Sequence, residues 1–141
     1  MRIIGIDYGD ARVGIAVSDE TGFLGSAVCT INVTGMRDAC KKTAEKIKEL
    51  NGTSIVLGLP VNMDGSLSFR AEKTKAFAEM LGQETGLEIV FMDERLSTVQ
   101  AYTYLNITDY NGKKRRDVID ALSAQIILQS YLDKIRAQKK D

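Results

Sequence analysis

The chain contains no histidine and no tryptophan, and it has one proline and two cysteines among its 141 residues. The absence of histidine excludes histidine-based catalytic triads, histidine general bases and histidine-ligated zinc. Cys29 and Cys40 are too few for a disulfide framework and lack the spacing of a metal site. Any catalysis must therefore come from carboxylates, lysine, tyrosine, hydroxyls, cysteine, or a metal held by oxygen ligands.

Net charge and long hydrophobic runs are also lacking. The 19 basic and 19 acidic residues give a net charge of +0, which argues against a protein that coats nucleic acid nonspecifically. A local basic run is nevertheless present at Lys113-Lys114-Arg115-Arg116. No apolar run approaches the about 18 residues of a membrane span, and there is no signal-peptide pattern, so we expect a cytoplasmic protein. The length predicts one domain over residues 1–141.

Hydrophobic periodicity predicts an α/β fold. Strands are predicted at residues 2–9, 12–19, 23–33, 54–59 and 87–92, and helices at 36–50, 68–85, 97–105 and 118–136. The first three strands follow one another through short turns and should be antiparallel, whereas the later strands follow helices and should be parallel. This predicts a five-stranded mixed sheet with helices on its faces. Residues 106–116 are polar and hold the basic run, and the second helix should bury Phe69, Ala76, Phe77, Met80 and Leu81.

The first strand runs into an acid, Asp7, which is followed by the turn residues Tyr8-Gly9-Asp10. An aspartate at the end of a buried strand costs free energy unless a partner compensates for its lost hydration. Two interpretations stay open at this point. Asp7 is either an exposed turn residue or a metal ligand or catalytic acid.

The last predicted helix carries an acid within its apolar stripe. At 100° per residue, Asp120 shares that stripe with Ala121, Ala124, Ile127 and Leu128. A first-turn acid favoured by the helix dipole is the alternative, but Asp117 fits that description better. A core-facing carboxylate requires a cation, which favours a functional role for Asp120.

Asp93-Glu94 forms a third acidic position, at the carboxyl end of a strand, where α/β sheets usually bind ligands. Asp7, Glu94 and Asp120 should therefore converge on one edge of the core. Three such carboxylates suit Mg²⁺ or Mn²⁺. Two such ions about 3.5–4 Å apart would activate water and stabilise the leaving oxygen in phosphodiester cleavage.

Several motifs resemble the YqgF/RuvX group, the RNase H-like nucleases related to Holliday junction resolvases. The matching pieces are Gly5-x-Asp7-x-Gly9-x-x-Arg12-x-Gly14-x-Ala16, Gly58-Leu59-Pro60 with Asp64-Gly65, Asp93-Glu94-Arg95-Leu96-Ser97-Thr98, and Asp120-Ala121-Leu122-Ser123-Ala124. They occur in the family's order and extend over almost the whole chain. The chain departs from the pattern at Asp10-Ala11, where a Thr-Lys type of pair is usual, and this removes one basic residue near the site.

The resemblance implies an RNase H-like fold and a metal-dependent nuclease that matures the 5′ end of the small-subunit ribosomal RNA precursor, pre-16S rRNA. It implies catalytic and metal-binding roles for Asp7, Glu94 and Asp120, with Mg²⁺ or Mn²⁺, two ions, as cofactor. Branched DNA of the Holliday junction type is the alternative substrate. Arg12, Arg95 and the basic run Lys113, Lys114, Arg115 and Arg116 would hold the nucleic-acid backbone. The run could equally be a solvated loop.

Two further classes of function remain as alternatives. A non-catalytic RNA- or ribosome-binding module would not need the three acids. A sugar-kinase or actin-like phosphotransferase needs two lobes, which one domain of 141 residues cannot supply. The expected partners are nucleic acid and a ribosomal particle but no membrane, for a monomer or homodimer.

Overall fold

The computed structural model of the chain describes residues 1–62, 64–93 and 112–138, with the side chains of the last helix from residue 119 onward. These residues contain five strands in one sheet: β1 Ile3–Tyr8, β2 Arg12–Ser18, β3 Gly25–Asn32, β4 Ser54–Leu59 and β5 Ile89–Asp93. The strand order is β3-β2-β1-β4-β5. β2 is antiparallel to β1 and β3, whereas β4 is parallel to β1 and β5. The predicted mixed sheet is confirmed.

Helices cover both faces of this sheet, as predicted. The described helices are α1 Met36–Glu49, α2 Phe69–Thr85 and α3 Gly112–Gln138. α1 and α2 pack together on one face, and α3 crosses the other face over β1, β2 and β3. The short helix predicted at 97–105 lies outside the described residues. None of the helices that the structure describes combines the length and the apolar character that a bilayer crossing requires.

Two apolar layers hold the helices to the sheet. On the α1–α2 face, Ile4 and Ile6 of β1 are fully buried in one cluster with Phe77 of α2. On the other face, Ile3 packs in a second cluster with Leu128 of α3. Burying a large apolar side chain contributes about 1.5–3 kcal/mol, so these two layers account for the main stabilisation of the sheet.

Local signals set the ends of α2. Pro60 follows the last residue of β4, and Ser68 caps α2 by accepting a hydrogen bond from the backbone N–H of Ala71 at 3.1 Å. The helix ends at Gly86, whose φ of 70° lies in the left-handed region that favours glycine.

Two sequence predictions are wrong. The last helix begins at Gly112 rather than near residue 118, so the basic run is helical and not part of a loop. Lysine and arginine are good helix formers, and neither proline nor glycine interrupts residues 113–118.

The second error concerns the inner face of α2. Phe69 is 77% exposed and Ala76 is exposed. The buried positions of the helix are Ala71, Thr74, Phe77, Ala78 and Leu81. Phe69 lies two residues before this stripe, and residues two apart do not share a helix face.

Small residues allow α3 to lie directly on the strands. A Cβ atom added at Gly5 of β1 would lie 2.8 Å from the carbonyl oxygen of Ala124. A Cβ atom added at Gly14 of β2 would overlap the carbonyl oxygen of Asp120. The distance between α3 and the sheet is therefore set by backbone contacts at these glycines.

We expect Gly14→Ala to lower the free energy of unfolding by about 1–3 kcal/mol, the usual cost of overpacking, because α3 must move to admit the methyl group. Urea denaturation measures this change. Gly82→Ala in α2 is the matched control, since its new Cβ would lie 3.6 Å from the nearest atom, Cδ1 of Ile89. That control should stabilise the protein by about 0.5–1 kcal/mol. Unchanged stability in Gly14→Ala would contradict the close contact.

Candidate active site

Asp7 lies on the face of the sheet that α3 covers. In β1, Ile4, Ile6 and Tyr8 belong to the apolar layer under α1 and α2, whereas Ile3 belongs to the layer under α3. Because successive side chains of a strand point to opposite faces, Asp7 lies on the same face as Ile3. It is partly buried within β1 and is a strand residue rather than an exposed turn residue.

Strand register brings Asp120 close to Asp7. Asp7 pairs with Gly14 of β2, and the backbone of α3 at Asp120 rests on Gly14. Side chains directly opposite in an antiparallel pair have Cβ atoms about 4.5–5.5 Å apart, so the Cβ of Asp7 lies within about 8 Å of the α3 backbone at Asp120. Two acids that are 113 positions apart in the printed sequence therefore meet at one end of the sheet.

An arginine neutralises part of this acidic pair. Nε of Arg12 donates a hydrogen bond to Oδ2 of Asp120 at 2.7 Å. The two side chains are 34% and 21% exposed, so the ion pair is only partly screened by water. Arg12 precedes Gly14 by two residues on β2 and so shares its face. Arg12 is thus a partner of Asp120 within the site and not a remote surface cation.

Three other groups with acid–base potential lie on the opposite face of the sheet, under α1 and α2, and have raised pKa values. Burial, with a smaller contribution from the charge of Asp10, raises the pKa of the Tyr8 phenol, whose ring stacks on Phe77 at 4.2 Å between centroids. Burial is also the main cause that raises the pKa of the Cys29 and Cys40 thiols. A buried thiol of raised pKa is a poor nucleophile at neutral pH. Within the described residues, carboxylate chemistry remains the strongest option.

The structure describes only part of the predicted site. It brings Asp7 and Asp120 together and places Asp93 at the end of β5, paired with Leu59 of β4. Glu94 and Arg95 lie outside the described residues, as do the side chains of the basic run. Within the described ranges, no group of three or more histidine, cysteine, aspartate or glutamate side chains could hold a metal ion.

Asp7 and Asp120 are the two predicted metal ligands that the structure describes, and their carboxylates fit a hard divalent cation. Mg²⁺ usually binds through one or two carboxylates and keeps its other positions for water and substrate phosphate. Asp7 and Asp120 lie at the carboxyl end of β1, are partly buried and supply carboxylate oxygens of the kind that such an ion prefers. Glu94 would add the third ligand predicted from the sequence.

Sequence reasoning underestimated Gly14 and Lys73. Gly14 was part of a motif, but the motif did not predict its contact with α3. The only signal for this contact is that small residues occupy alternate positions of β2, namely Gly14, Ala16 and Ser18. Lys73 of α2 reaches the β1–β2 turn, where its Nζ lies 3.4 Å from Oδ1 of Asp10. No sequence pattern pairs these two residues.

A family model matches this chain over residues 1–134, and its description is RuvX: Holliday junction resolvase. Several relatives carry the name "Putative pre-16S rRNA nuclease", and two of them illustrate the similarity. The protein from Clostridioides difficile is 46% identical over 132 residues, which cover 94% of each chain. The protein from Ruminiclostridium cellulolyticum is 38% identical over 141 residues, which cover 99% of each chain.

Solved structures show the same fold. RuvC of T. thermophilus in complex with a Holliday junction superposes with a TM-score of 0.60 over 96% of each chain, at 12% identity. A ROK hexokinase from Thermus thermophilus superposes with a TM-score of 0.50 at 22% identity, but the match covers only 38% of that kinase. The first comparison confirms the RNase H-like resolvase fold. The second leaves most of the kinase without a counterpart in this chain.

The Arg12–Asp120 pair should contribute a coupling free energy of about 1 kcal/mol, because it is charge-assisted but still partly exposed. A double-mutant cycle with Arg12→Ala and Asp120→Ala, measured by urea denaturation, isolates this value. The Lys42–Asp38 pair on α1, at 3.2 Å, is the matched control and should give about 0.3–0.5 kcal/mol. Zero coupling between Arg12 and Asp120 would show that the pair does not stabilise the fold.

Proposed function

The chain belongs to the RuvX family, described as Holliday junction resolvase, and on this premise we propose that it is a nuclease that hydrolyses phosphodiester bonds in nucleic acid. Its proposed substrate class follows from relatives that carry the name pre-16S rRNA nuclease. We therefore propose maturation of the 5′ end of pre-16S rRNA as its reaction. This reaction places the protein in the cytoplasm, with a ribosomal precursor particle as its partner.

The proximity of Asp7 and Asp120 is the observation that carries this proposal. Both acids lie at the carboxyl end of β1. Asp7 is a residue of the strand, and Asp120 is held there by the contact of α3 with Gly14. Two carboxylates this close repel one another unless a cation lies beside them. Arg12 supplies one positive charge to Asp120, and a divalent ion would supply more.

In this proposal Asp7, Asp120 and Glu94 hold Mg²⁺ or Mn²⁺, most simply as two ions. When bound, such ions activate water and stabilise the leaving oxygen of the cleaved bond. The chain's own contribution is positional: β1 fixes Asp7, and Arg12 orients the carboxylate of Asp120 through its Nε. The partly buried location of both acids limits competing contacts with water.

Branched DNA is the second candidate substrate, because the family description and the likeness to RuvC favour it. A homodimer would suit such a four-way junction, since its symmetry would present two sites. A non-catalytic RNA-binding module is the alternative from another class. The grouping of Asp7 with Asp120 weighs against it, since a binding surface for phosphate has no use for adjacent carboxylates.

Cationic residues complete the proposed nucleic-acid interface. Arg12, Arg95 and the basic run would contact the phosphate backbone without reading sequence. The run occupies the first turns of α3, the end of a helix at which the dipole disfavours cations. Four cationic residues there do not serve the stability of the helix, which supports a role in phosphate binding.

The first test is cleavage of a 5′-extended small-subunit rRNA precursor and of a four-way DNA junction, with Mn²⁺, with Mg²⁺ and with EDTA. Asp7→Asn and Asp120→Asn should each lower the rate at least about a hundredfold, since even groups that only support a metal ligand contribute 10–100-fold. Asp133→Asn, on the exposed side of the same helix as Asp120, is the control and should keep full activity.

Metal-dependent cleavage of the RNA that is lost in Asp120→Asn would support the proposed reaction. Cleavage of the junction alone would support the resolvase alternative. Cleavage that persists in EDTA, or in both acid variants, would refute the metal-dependent nuclease.

The basic run gives a separate prediction. Replacing Lys114 and Arg116 by glutamine should weaken RNA binding and reduce the slope of log affinity against log salt by up to about one unit per lost phosphate contact. Filter binding over a range of salt concentrations measures both quantities. Lys41→Gln with Lys48→Gln on α1 removes the same charge from the opposite face and serves as control. Unchanged affinity and slope would remove the run from the interface.

A further inference from the structure

The end of the sheet at which Asp7 lies also carries an exposed aromatic residue, Phe69. It is the first residue of α2, and its side chain is 77% exposed, the largest exposed fraction among the described large hydrophobic residues. Leu67, two residues earlier, is 46% exposed. These two side chains lack the stabilisation that burial would give them, and a ligand bound at this position would supply it.

The backbone around Phe69 is well anchored. Ser68 donates its hydroxyl hydrogen bond to the carbonyl oxygen of Pro60 at 3.0 Å and caps α2. The preceding loop is closed by the bridge between Val61 and Leu67. Phe69 is therefore presented from a fixed position rather than from a loose loop end, so little conformational entropy would be lost when a ligand binds there.

Positive charge accompanies the ring. Nζ of Lys73 lies 5.1 Å from the centroid of Phe69, within the range of a cation–π contact. The same ammonium group lies 3.4 Å from Asp10, in a pair whose side chains are 40% and 70% exposed. Such exposed pairs are weak, so Lys73 can exchange Asp10 for a phosphate. Arg70, the next residue after Phe69, is also exposed.

This cluster lies at the same end of the sheet as the candidate active site, although α2 and α3 cover opposite faces. Asp10 follows Asp7 by three residues, which span at most about 11 Å of chain. Adding the contacts of Lys73 with Asp10 and with Phe69 places the ring of Phe69 within about 25 Å of Asp7. A nucleic-acid strand of fewer than about ten stacked nucleotides spans this distance. A strand held at Asp7 can therefore reach Phe69.

We propose that Phe69 is a stacking platform for an unpaired base of the nucleic-acid strand, and that Lys73 binds a phosphate beside it. The inference rests on the proposed function and deepens it, because it predicts a substrate that is single-stranded at this point. An aromatic ring flanked by cations matches the way in which proteins hold single strands, through base stacking and backbone charge. The ring alone would suit a protein partner, but the adjacent cations favour a phosphate-bearing strand.

The absence of tryptophan allows a direct test, since Phe69→Trp creates the sole indole of the chain. We would titrate this variant in EDTA, which prevents metal-dependent cleavage, with a short single-stranded RNA, with the same strand made abasic, and with its fully paired duplex. The unpaired strand should quench the indole fluorescence strongly, and the abasic strand and duplex should quench it little.

Phe23→Trp is the matched control. Phe23 is also exposed, at 54%, and also lies under a cation, with Cζ of Arg136 3.9 Å from its ring centroid. It follows β2, however, at the opposite end of the sheet from Asp7. Its fluorescence should not respond to any of the three nucleic acids.

Affinity gives the second readout. Phe69→Ala should weaken binding of the single strand at least about fivefold, the lower limit for loss of one stacked base, whereas Phe23→Ala should not. Binding is measured by the anisotropy of a labelled strand, and melting curves check that each variant is folded. Equal affinity of Phe69→Ala and wild type, equal quenching by the abasic strand, or no binding of the single strand would each overturn the proposal. Quenching that grows with protein concentration alone would also overturn it, in favour of a second copy of the chain.

The outcome is separable from that of the nuclease assay. If Phe69→Ala keeps its affinity while Asp120→Asn loses cleavage, the platform is wrong and the nuclease stands. If strand binding depends on Phe69 but no metal-dependent cleavage occurs, the platform stands and the nuclease is wrong.

Discussion

The contact between the backbone of α3 and Gly14 is the constraint on which the rest of this site depends. No side chain separates the helix from β2 at this point, because a Cβ atom there would overlap the carbonyl oxygen of Asp120. The close approach brings an acid from the end of the chain to the strand that faces Asp7. A larger residue at position 14 would move α3 outward, and the two carboxylates would separate with it.

Charge at this point is arranged to attract cations. Asp7 and Asp120 bring two negative charges to a partly buried location, and Arg12 compensates for one of them. If both acids hold a metal ion as proposed, the pair of Arg12 with Asp120 would stabilise the fold while the ion is absent.

The features that could meet a nucleic acid gather at one end of the sheet. Asp7 and the β1–β2 turn lie at the carboxyl end of β1, and the loop before Phe69 follows the carboxyl end of the adjacent, parallel β4. Asp10 links the two through Lys73. Asp10 therefore draws a lysine from α2 to the β1–β2 turn, at the same end of the sheet as Asp7.

The sequence by itself determined most of the described elements and the mixed sheet, because period two and period 3.6 are local properties of the chain, and it singled out candidate acids. Asp120 could be singled out since an acid within an apolar stripe is visible without a structure. Tertiary structure alone decided which partners these residues meet. The pairing of Arg12 with Asp120 and the exposure of Phe69 depend on strand register and on the rotation of a helix about its axis. These are set by packing between segments that are distant in the chain, which no local pattern encodes.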